Sequence, residues 1–295
     1  MTANLYELPE STARVVDNIR LAVLEGDSFR KVSLSDPAPT AEDIKRVILP
    51  FDNERRSPMA KMKAALARAL AEKLTDEVNR DTSIIGIENA LSVSGGAIIT
   101  ANHYAPTDST PIRIMSAICN RRKKLHIVVQ ESNIFMTGLF GFLMKNCNTH
   151  PVSGNLKYMA KSLKPSLEKI VSDGGFVLIY PEQEMWLNYK KPRAMRDGAF
   201  HYASVFGVPI IPTFTEMRTL PGKRGEDGFL PVKHILHVFP PIYPDSTLSP
   251  AEDRARMARL DFEYKKAAYE QAYGIPLTQD FDPLRDIAGI SPDEE

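Results

Sequence analysis

The sequence predicts an α/β fold whose mixed, largely parallel sheet is covered by helices on both faces and preceded by an N-terminal helical region. Two observations indicate this fold class. Short runs of branched apolar residues alternate along the chain with longer segments of helical periodicity, the order in which a parallel sheet and its crossover helices are built. The 295 residues, of which 43% are hydrophobic and 25% are charged, suffice for a substantial core.

We expect three regions along the chain: an N-terminal helical region over residues 1–80, an α/β domain over 81–275 and a C-terminal tail over 276–295. The segment from Pro58 to Asn79 is the clearest helix of the first region, because its apolar residues recur on one side. These residues are Met59, Met62, Leu66, Leu70 and Leu74. Packing on the sheet is the favoured explanation of this stripe, and contact with a lipid surface is the alternative, since Lys and Arg occupy other positions of the helix.

The α/β domain contains five predicted strands, and helical patterns separate the first four. The strands are Ala97–Thr100, Leu125–Gln130, Phe176–Tyr180, Pro209–Glu216 and Ile235–Ile242. The helical patterns lie near residues 109–120, 155–172 and 196–206. A last helix begins after Ser249, whose spacing to Glu252 is that of a capping box with Pro250 at the first helical position, and continues to about Tyr273.

The charge of the chain is balanced overall but unevenly distributed. Residues 121–196 carry 13 Lys and Arg against 5 Asp and Glu, whereas residues 197–295 carry 10 against 16. The basic region is expected to attract an anionic substrate or surface, notably through Lys190 to Arg193. For Arg121 to Lys124 a solvated helix end is the favoured explanation. A nucleic-acid partner is not expected, because aromatic residues are not interleaved with the cations.

The expected compartment follows from cysteine usage and from the lack of long apolar segments. Cys119 and Cys147 fit neither a disulfide framework nor a metal-ligand spacing, which favours the reducing cytoplasm. No segment has the features of a signal peptide, and no apolar run approaches the roughly 18 residues of a spanning helix. We expect a cytoplasmic protein, with peripheral contact to the inner face of the cell membrane as a further expectation.

The most informative motif is a histidine and a carboxylate at the point where the first predicted strand ends. His103 follows the strand Ala97–Thr100, and Asp108 lies five residues further on, beyond a turn at Pro106. Ligands of α/β sheets bind beyond the carboxyl ends of the strands. A carboxylate that accepts the proton of one ring nitrogen leaves the other nitrogen as an acceptor, so His103 is predicted to take a proton from a substrate hydroxyl or thiol.

Three further segments follow this motif in order along the chain. They are the Gly-rich apolar stretch Gly138 to Val152, the hexapeptide Tyr180-Pro181-Glu182-Gln183-Glu184-Met185 and the segment Val208-Pro209-Ile210-Ile211-Pro212. Together with Asn102-His103 and Asp108 they resemble the blocks of the glycerolipid acyltransferase family, which includes 1-acylglycerol-3-phosphate acyltransferases. The hexapeptide departs from the family's Phe-Pro-Glu-Gly-Thr-Arg, since Gln183 and Met185 stand where the family has Gly and Arg.

The resemblance implies an acyltransferase that moves a fatty acyl group from a thioester donor, acyl-CoA or acyl carrier protein, to a hydroxyl of a lysophospholipid or related polar lipid. His103 would be the general base, oriented by Asp108. Glu182 would bind the acceptor. The cations that would replace the missing Arg in holding an anionic group are Lys190, Lys191 and Arg193. No metal and no cofactor besides the acyl donor is expected.

Other interpretations of the same residues stay open at this point. The loss of Gly and Arg after Glu182 also fits a noncatalytic protein that binds a lipid or an acyl carrier protein, and the same base acting on water gives an acyl-thioester hydrolase. The apolar run Ile134–Met144 is expected to line an acyl-chain tunnel or to touch a membrane, and a buried core helix explains it equally well. Trp186 either forms a wall of the acceptor pocket or is structural.

Overall fold

The structure, a computed structural model, describes residues 11–34, 37–119, 125–225 and 227–291. The basic run Arg121 to Lys124 singled out above lies outside these described residues. Within them, seven strands form one sheet in the order β1-β7-β6-β2-β5-β3-β4. The strands are β1 (Ser83–Ile85), β2 (Ala97–Thr100), β3 (Leu125–Gln130), β4 (Thr149–Val152), β5 (Phe176–Ile179), β6 (Ile210–Thr219) and β7 (Val232–Val238).

The sheet is mixed and largely parallel, as predicted. Its neighbouring strands run parallel except for β6 and β7, which pair antiparallel. All five predicted strands are present, although the last two are shifted by a few residues. The two that sequence reasoning missed, β1 and β4, have only three and four residues and lie at the edges of the sheet. Unlike the similarly short β2 and β5, these two strands begin with polar residues and do not form the continuous apolar runs from which the others were predicted.

Helices precede the sheet and connect its strands. Those of the N-terminal region are α1 (Thr12–Leu24), α2 (Ala41–Ile48), α3 (Phe51–Glu54) and α4 (Pro58–Val78). Those that follow are α5 (Ile87–Leu91), α6 (Ser109–Cys119), α7 (Gly138–Asn146), α8 (Leu156–Tyr158), α9 (Lys164–Ser172), α10 (Gly198–Phe206), α11 (Pro250–Tyr273) and α12 (Pro283–Asp286). A 3₁₀-helix covers Glu131–Phe135 and a π-helical turn covers Met159–Leu163, so the single helix expected near 155–172 is interrupted.

Helices cover both faces of the sheet because successive strand residues point to opposite sides. In β2, Ile98 packs into a core with α9, α10 and α11, whereas Ile99 packs into a second core with α5 and α6. The capping box expected at the start of α11 is also present, since Ser249 and Glu252 exchange side-chain to backbone hydrogen bonds of 3.3 and 3.0 Å.

The predicted helix of the N-terminal region is confirmed as α4, and its apolar stripe is used in two ways. The C-terminal half packs on α7, with Leu70 and Leu74 in the contact cluster. The N-terminal half leaves Met59, Met62 and Leu66 exposed, with 55–63% of each residue accessible. Packing therefore explains only half of the stripe, and α4 presents an apolar, lysine-flanked surface to solvent.

A third core joins α1 and the region around Ile287 to the segment after Glu182. Ile19 of α1 and Ile287 lie in one buried cluster with Trp186, whose indole nitrogen donates a 3.0 Å hydrogen bond to the Arg30 carbonyl. The structural interpretation of Trp186 is therefore the correct one.

Among the described residues, no helix combines the length and the hydropathy needed to cross a membrane.

Candidate active site

The site begins where β2 ends and the chain turns toward α6. Asn102 is buried, and its amide nitrogen donates to the Thr215 carbonyl over 3.2 Å while its amide oxygen accepts from the Thr215 backbone nitrogen over 2.8 Å. This two-way contact fixes the turn to the neighbouring strand β6. His103 therefore leaves the sheet from a rigid anchor rather than from a free loop.

His103 and Asp108 form the dyad that the sequence predicts. The Nδ1 atom of His103 lies 2.7 Å from Oδ2 of Asp108, whose side chain is only 3% exposed. The backbone nitrogen of Tyr104 donates to the same oxygen over 3.0 Å. Because an ionised carboxylate only accepts hydrogen bonds, Nδ1 carries the proton and Nε2 is left as an acceptor. This is the tautomer that a general base requires.

Tyr180, the residue directly after β5, completes the surroundings of the dyad. Its hydroxyl donates to Oδ1 of Asp108 over 2.5 Å, and its ring stacks on the His103 imidazole with 4.2 Å between centroids. Burial raises the pKa of the Tyr180 phenol and the neighbouring Asp108 charge raises it further, so the phenol stays a donor. The sequence contained one signal for this residue, namely Tyr in place of the Phe of the family hexapeptide.

Glu182 accepts a hydrogen bond from the backbone of His103 and forms an ion pair with Arg193. Oε2 of Glu182 accepts from the His103 backbone nitrogen over 3.2 Å, and the Arg193 guanidinium lies 3.1 Å from the same oxygen. Both side chains are 3% exposed. Arg193 also donates to the Ser28 carbonyl over 2.9 Å and to the Glu184 carbonyl, and it stacks on Trp186.

The two lysines predicted as substrate ligands lie against the C-terminal segment. Lys191 is buried, with Nζ 2.9 Å from Oδ2 of Asp286 and 2.7 Å from the Asp280 carbonyl. Lys190 is half-buried, its Nζ over the Tyr273 ring at 5.4 Å, and burial lowers its pKa. The structure brings Glu182 and Arg193 to the backbone of His103, but it does not bring either lysine to the dyad. Substrate binding by these four residues stays a prediction.

A cavity of about 330 Å³ opens on the dyad and extends away from it between the sheet and α7. His103, Asp108 and Tyr180 lie at one end. Polar lining is provided by Ser109, Gln130, Asn133, Gln183, Glu184 and Arg196, and apolar lining by Ile127, Val129, Met136, Phe140, Met144, Val152, Ile179 and Tyr202. Such a pairing of a reactive polar end with an apolar body suits an amphiphilic ligand.

The apolar run Ile134–Met144 contributes the wall of this cavity. Met136, Phe140 and Met144 face it, which favours the lining interpretation over that of a fully buried core helix. Gly141 is required here, because a Cβ atom at this position would lie 2.0 Å from the Met136 carbonyl oxygen. The close approach of backbone to backbone lets the segment turn back toward the sheet.

Arg196 and Gln183 are cavity-lining residues that sequence reasoning missed. The exposed Arg196 places its guanidinium over the Phe29 ring, 3.8 Å from the centroid. Gln183 adopts a left-handed backbone conformation with φ of 64°, which explains why glycine suits this position in the family hexapeptide. Sequence spacing gave no reason to prefer Arg196 over the three cations before it.

Across the described part of the chain, no group of three or more His, Cys, Asp or Glu side chains is placed to hold a metal ion.

Comparison with known proteins connects this geometry to one family. No curated protein sequence matches the chain. Among solved structures, the chain is similar to the 1-acyl-sn-glycerophosphate acyltransferase PlsC from Thermotoga maritima, with 15% identity, a TM-score of 0.46 and coverage of 87% of this chain and 93% of that one. Residues 81–216 match the sequence profile of the family described as Acyltransferase, and this segment contains the dyad, Tyr180, Glu182 and the cavity. Over residues 81–216 the chain is thus similar to the acyltransferase family.

Proposed function

We propose that the protein is an O-acyltransferase that moves a fatty acyl group from a thioester donor, acyl-CoA or acyl carrier protein, to a hydroxyl of a lysophospholipid or related polar lipid. The observation that carries the proposal is the His103–Asp108 dyad at the polar end of a largely apolar cavity. A base alone would fit many reactions. A base at the end of an apolar cavity fits a reaction on an acyl chain.

The reaction follows from the tautomer of His103. Nε2 takes the proton of the acceptor hydroxyl while the acceptor oxygen bonds to the thioester carbonyl carbon. Asp108 holds the ring and stabilises the imidazolium that forms. When the tetrahedral intermediate breaks its carbon–sulfur bond, the imidazolium returns the proton to the departing thiolate. The dyad ends the cycle in its starting state, and neither a metal nor a covalent enzyme intermediate is needed.

Arg196 is the cation that we assign to an anionic group of the acceptor. Arg196 is an exposed residue that lines the cavity, with its guanidinium over the Phe29 ring, whereas Arg193 and Lys191 are each paired with a buried carboxylate. Glu184 lines the same cavity, and its Oε1 accepts a 2.7 Å hydrogen bond from Gln130. Substrate binding by Lys190, Lys191 and Arg193 stays a prediction, and we place Arg196 ahead of the two buried cations because carboxylates inside the protein already pair with Lys191 and Arg193.

The exposed half of α4 supports peripheral contact with an anionic membrane. Its stripe of Met59, Met62 and Leu66 is flanked by lysines, which is the composition of a helix that lies in a lipid surface. The other half of α4 packs on α7, and α7 contributes Phe140 and Met144 to the cavity. Contact through α4 would bring the cavity next to the lipid that supplies the acceptor.

The test is product analysis with radiolabelled palmitoyl-CoA and palmitoyl acyl carrier protein. Each donor is incubated with lysophosphatidic acid, with a monoacylglycerol as an uncharged acceptor, or with no acceptor. A new diacyl lipid supports the proposal. Free fatty acid formed equally in all three mixtures would identify a hydrolase, and donor binding without any product would identify a noncatalytic binding protein; either result contradicts it.

The same assay tests the assignment of Arg196. With lysophosphatidic acid, Arg196→Ala should raise KM about ten-fold to a hundred-fold, the scale of a charge-assisted hydrogen bond of about 1.5–3 kcal/mol. The uncharged monoacylglycerol should show no such change. Equal KM values for lysophosphatidic acid in the parent and the variant would remove Arg196 from the acceptor site.

A further inference from the structure

Asp108 is shared between two side-chain donors, one on each carboxylate oxygen. Oδ2 faces Nδ1 of His103 at 2.7 Å and Oδ1 faces the Tyr180 hydroxyl at 2.5 Å. The ring of Tyr180 meanwhile stacks on the imidazole of His103 with only 19° between their planes. One residue therefore contacts the base with its ring and the orienting acid with its hydroxyl.

We propose that Tyr180 is a positioning residue that sets the base strength of His103 through Asp108. The proposal rests on the proposed function, in which His103 is the general base. A hydroxyl that donates to Oδ1 withdraws negative charge from the carboxylate, so that Oδ2 stabilises the imidazolium less than an unshared carboxylate would. Tyr180 thus keeps the base unprotonated at a lower pH.

Apart from Tyr180, no group described around the dyad donates a hydrogen bond to Oδ1 of Asp108. The backbone nitrogens of Tyr104 and Ala105 donate to Oδ2, not to Oδ1, at 3.0 and 3.4 Å. Burial lowers the pKa of His234, which faces the ring of Tyr104, to about 4, so His234 is neutral at pH 7. Burial also raises the pKa of the Tyr104 phenol.

Charged groups near the dyad have partners of their own or act at a distance. Glu182 meets the backbone of His103 and is paired with Arg193. Arg113 of α6 influences Tyr180 electrostatically and donates to the Cys147 sulfur at 3.6 Å. Glu184 and Arg196 line the cavity that His103 faces. All of these are retained when only the Tyr180 hydroxyl is removed, so a single substitution isolates its effect.

The experiment compares the parent with Tyr180→Phe, which keeps the stacked ring and removes only the hydroxyl. The pH at which His103 takes up its proton is read by NMR on histidine-labelled protein, with the signal identified by its loss in His103→Ala. We expect this midpoint to rise by about half to one pH unit in Tyr180→Phe. The acid limb of the pH profile of kcat/KM should move to higher pH by the same amount. Tyr243→Phe, at an exposed position, is the matched control and should move neither.

The same Tyr180→Phe substitution in an Asp108→Asn protein distinguishes an effect through the carboxylate from an effect of packing. In Asp108→Asn there is no carboxylate charge to share, so adding Tyr180→Phe should no longer move the His103 midpoint. An unchanged midpoint in Tyr180→Phe, or the same shift with and without the Asp108 carboxylate, would overturn the proposal. The NMR titration needs no substrate, so it decides the role of Tyr180 even if the protein transfers no acyl group, whereas the product analysis above decides the function.

Discussion

Replacing Arg193 with alanine should destabilise the protein strongly, because Arg193 neutralises a carboxylate buried beneath the backbone of His103. Its guanidinium lies 3.1 Å from Glu182 Oε2, and both side chains are 3% exposed. Removing one member of a buried ion pair leaves an uncompensated charge and costs about 3–5 kcal/mol. At roughly 2 °C for each kcal/mol in a chain of this size, the melting temperature should fall by about 6–10 °C.

Calorimetry and urea unfolding of three variants measure this effect. Arg193→Ala should show the full loss of unfolding free energy. The double variant Glu182→Leu/Arg193→Met removes both charges and should recover part of it, since apolar replacements of a buried pair are often tolerated. Arg196→Ala is the matched control at an exposed arginine three residues away and should change stability by less than about 0.5 kcal/mol.

Comparing stability and acceptor affinity in the Arg193 and Arg196 variants tests whether Arg193 is structural and Arg196 binds the acceptor. We expect Arg193→Ala to lose stability and Arg196→Ala to lose affinity for an anionic acceptor. An Arg193→Ala protein as stable as the parent, with a raised KM for lysophosphatidic acid, would show that Arg193 is a substrate ligand and that its pairing with Glu182 is incidental.

Three further predictions concern the backbone, pH and lipid. Gln183→Gly should raise the free energy of unfolding by about 0.5–1 kcal/mol because glycine adopts the left-handed conformation without strain; no gain in urea unfolding would contradict this. Burial lowers the pKa of His150 from 6.5 to about 3, so below pH 6.5 the unfolded chain binds a proton that the folded protein does not. Stability should therefore fall by about 1.4 kcal/mol for each pH unit between about 6.5 and 3, and His150→Gln should remove this part of the slope in urea titrations; an unchanged slope would contradict it. Met62→Glu should reduce sedimentation with anionic vesicles at low salt, whereas Leu24→Glu, at an equally exposed site on α1, should not; equal sedimentation of both variants would argue against contact through α4.

Periodicity and capping patterns predicted the parts of the fold that are built from long, regular segments. Five strands contain a run of branched apolar residues and were identified from it: β2, β3, β5, β6 and β7. The helix after Ser249 was identified from its capping pattern. The short edge strands β1 and β4 were not, since pairing with a neighbour rather than local pattern makes them strands. The helix α1 lies in the region that was predicted to be helical, but its bounds were not predicted, and its buried side packs with Trp186, far away in the sequence.

The dyad was predictable because its five-residue spacing is local, whereas the directions of other site residues depend on tertiary structure. Their positions in the sequence predicted Lys190, Lys191 and Arg193 as anion ligands. Sequence positions could not show that buried carboxylates pair with Lys191 and Arg193 in the folded protein. Arg196, in the same basic segment, is the one that lines the cavity. The hydroxyl of Tyr180 shows the same limit, since its bond to Asp108 joins residues 72 positions apart.

The most direct test of the central claim is acyl transfer by His103→Ala, measured with radiolabelled palmitoyl-CoA and the acceptor that the parent uses best. Loss of a positioned general base should lower kcat by about 10²–10⁴-fold while leaving the circular dichroism spectrum unchanged. His201→Ala, at a histidine of α10 outside the described cavity lining, should retain the parental rate. A folded His103→Ala protein that transfers acyl groups within a few-fold of the parent rate would contradict the assignment of His103 as the base.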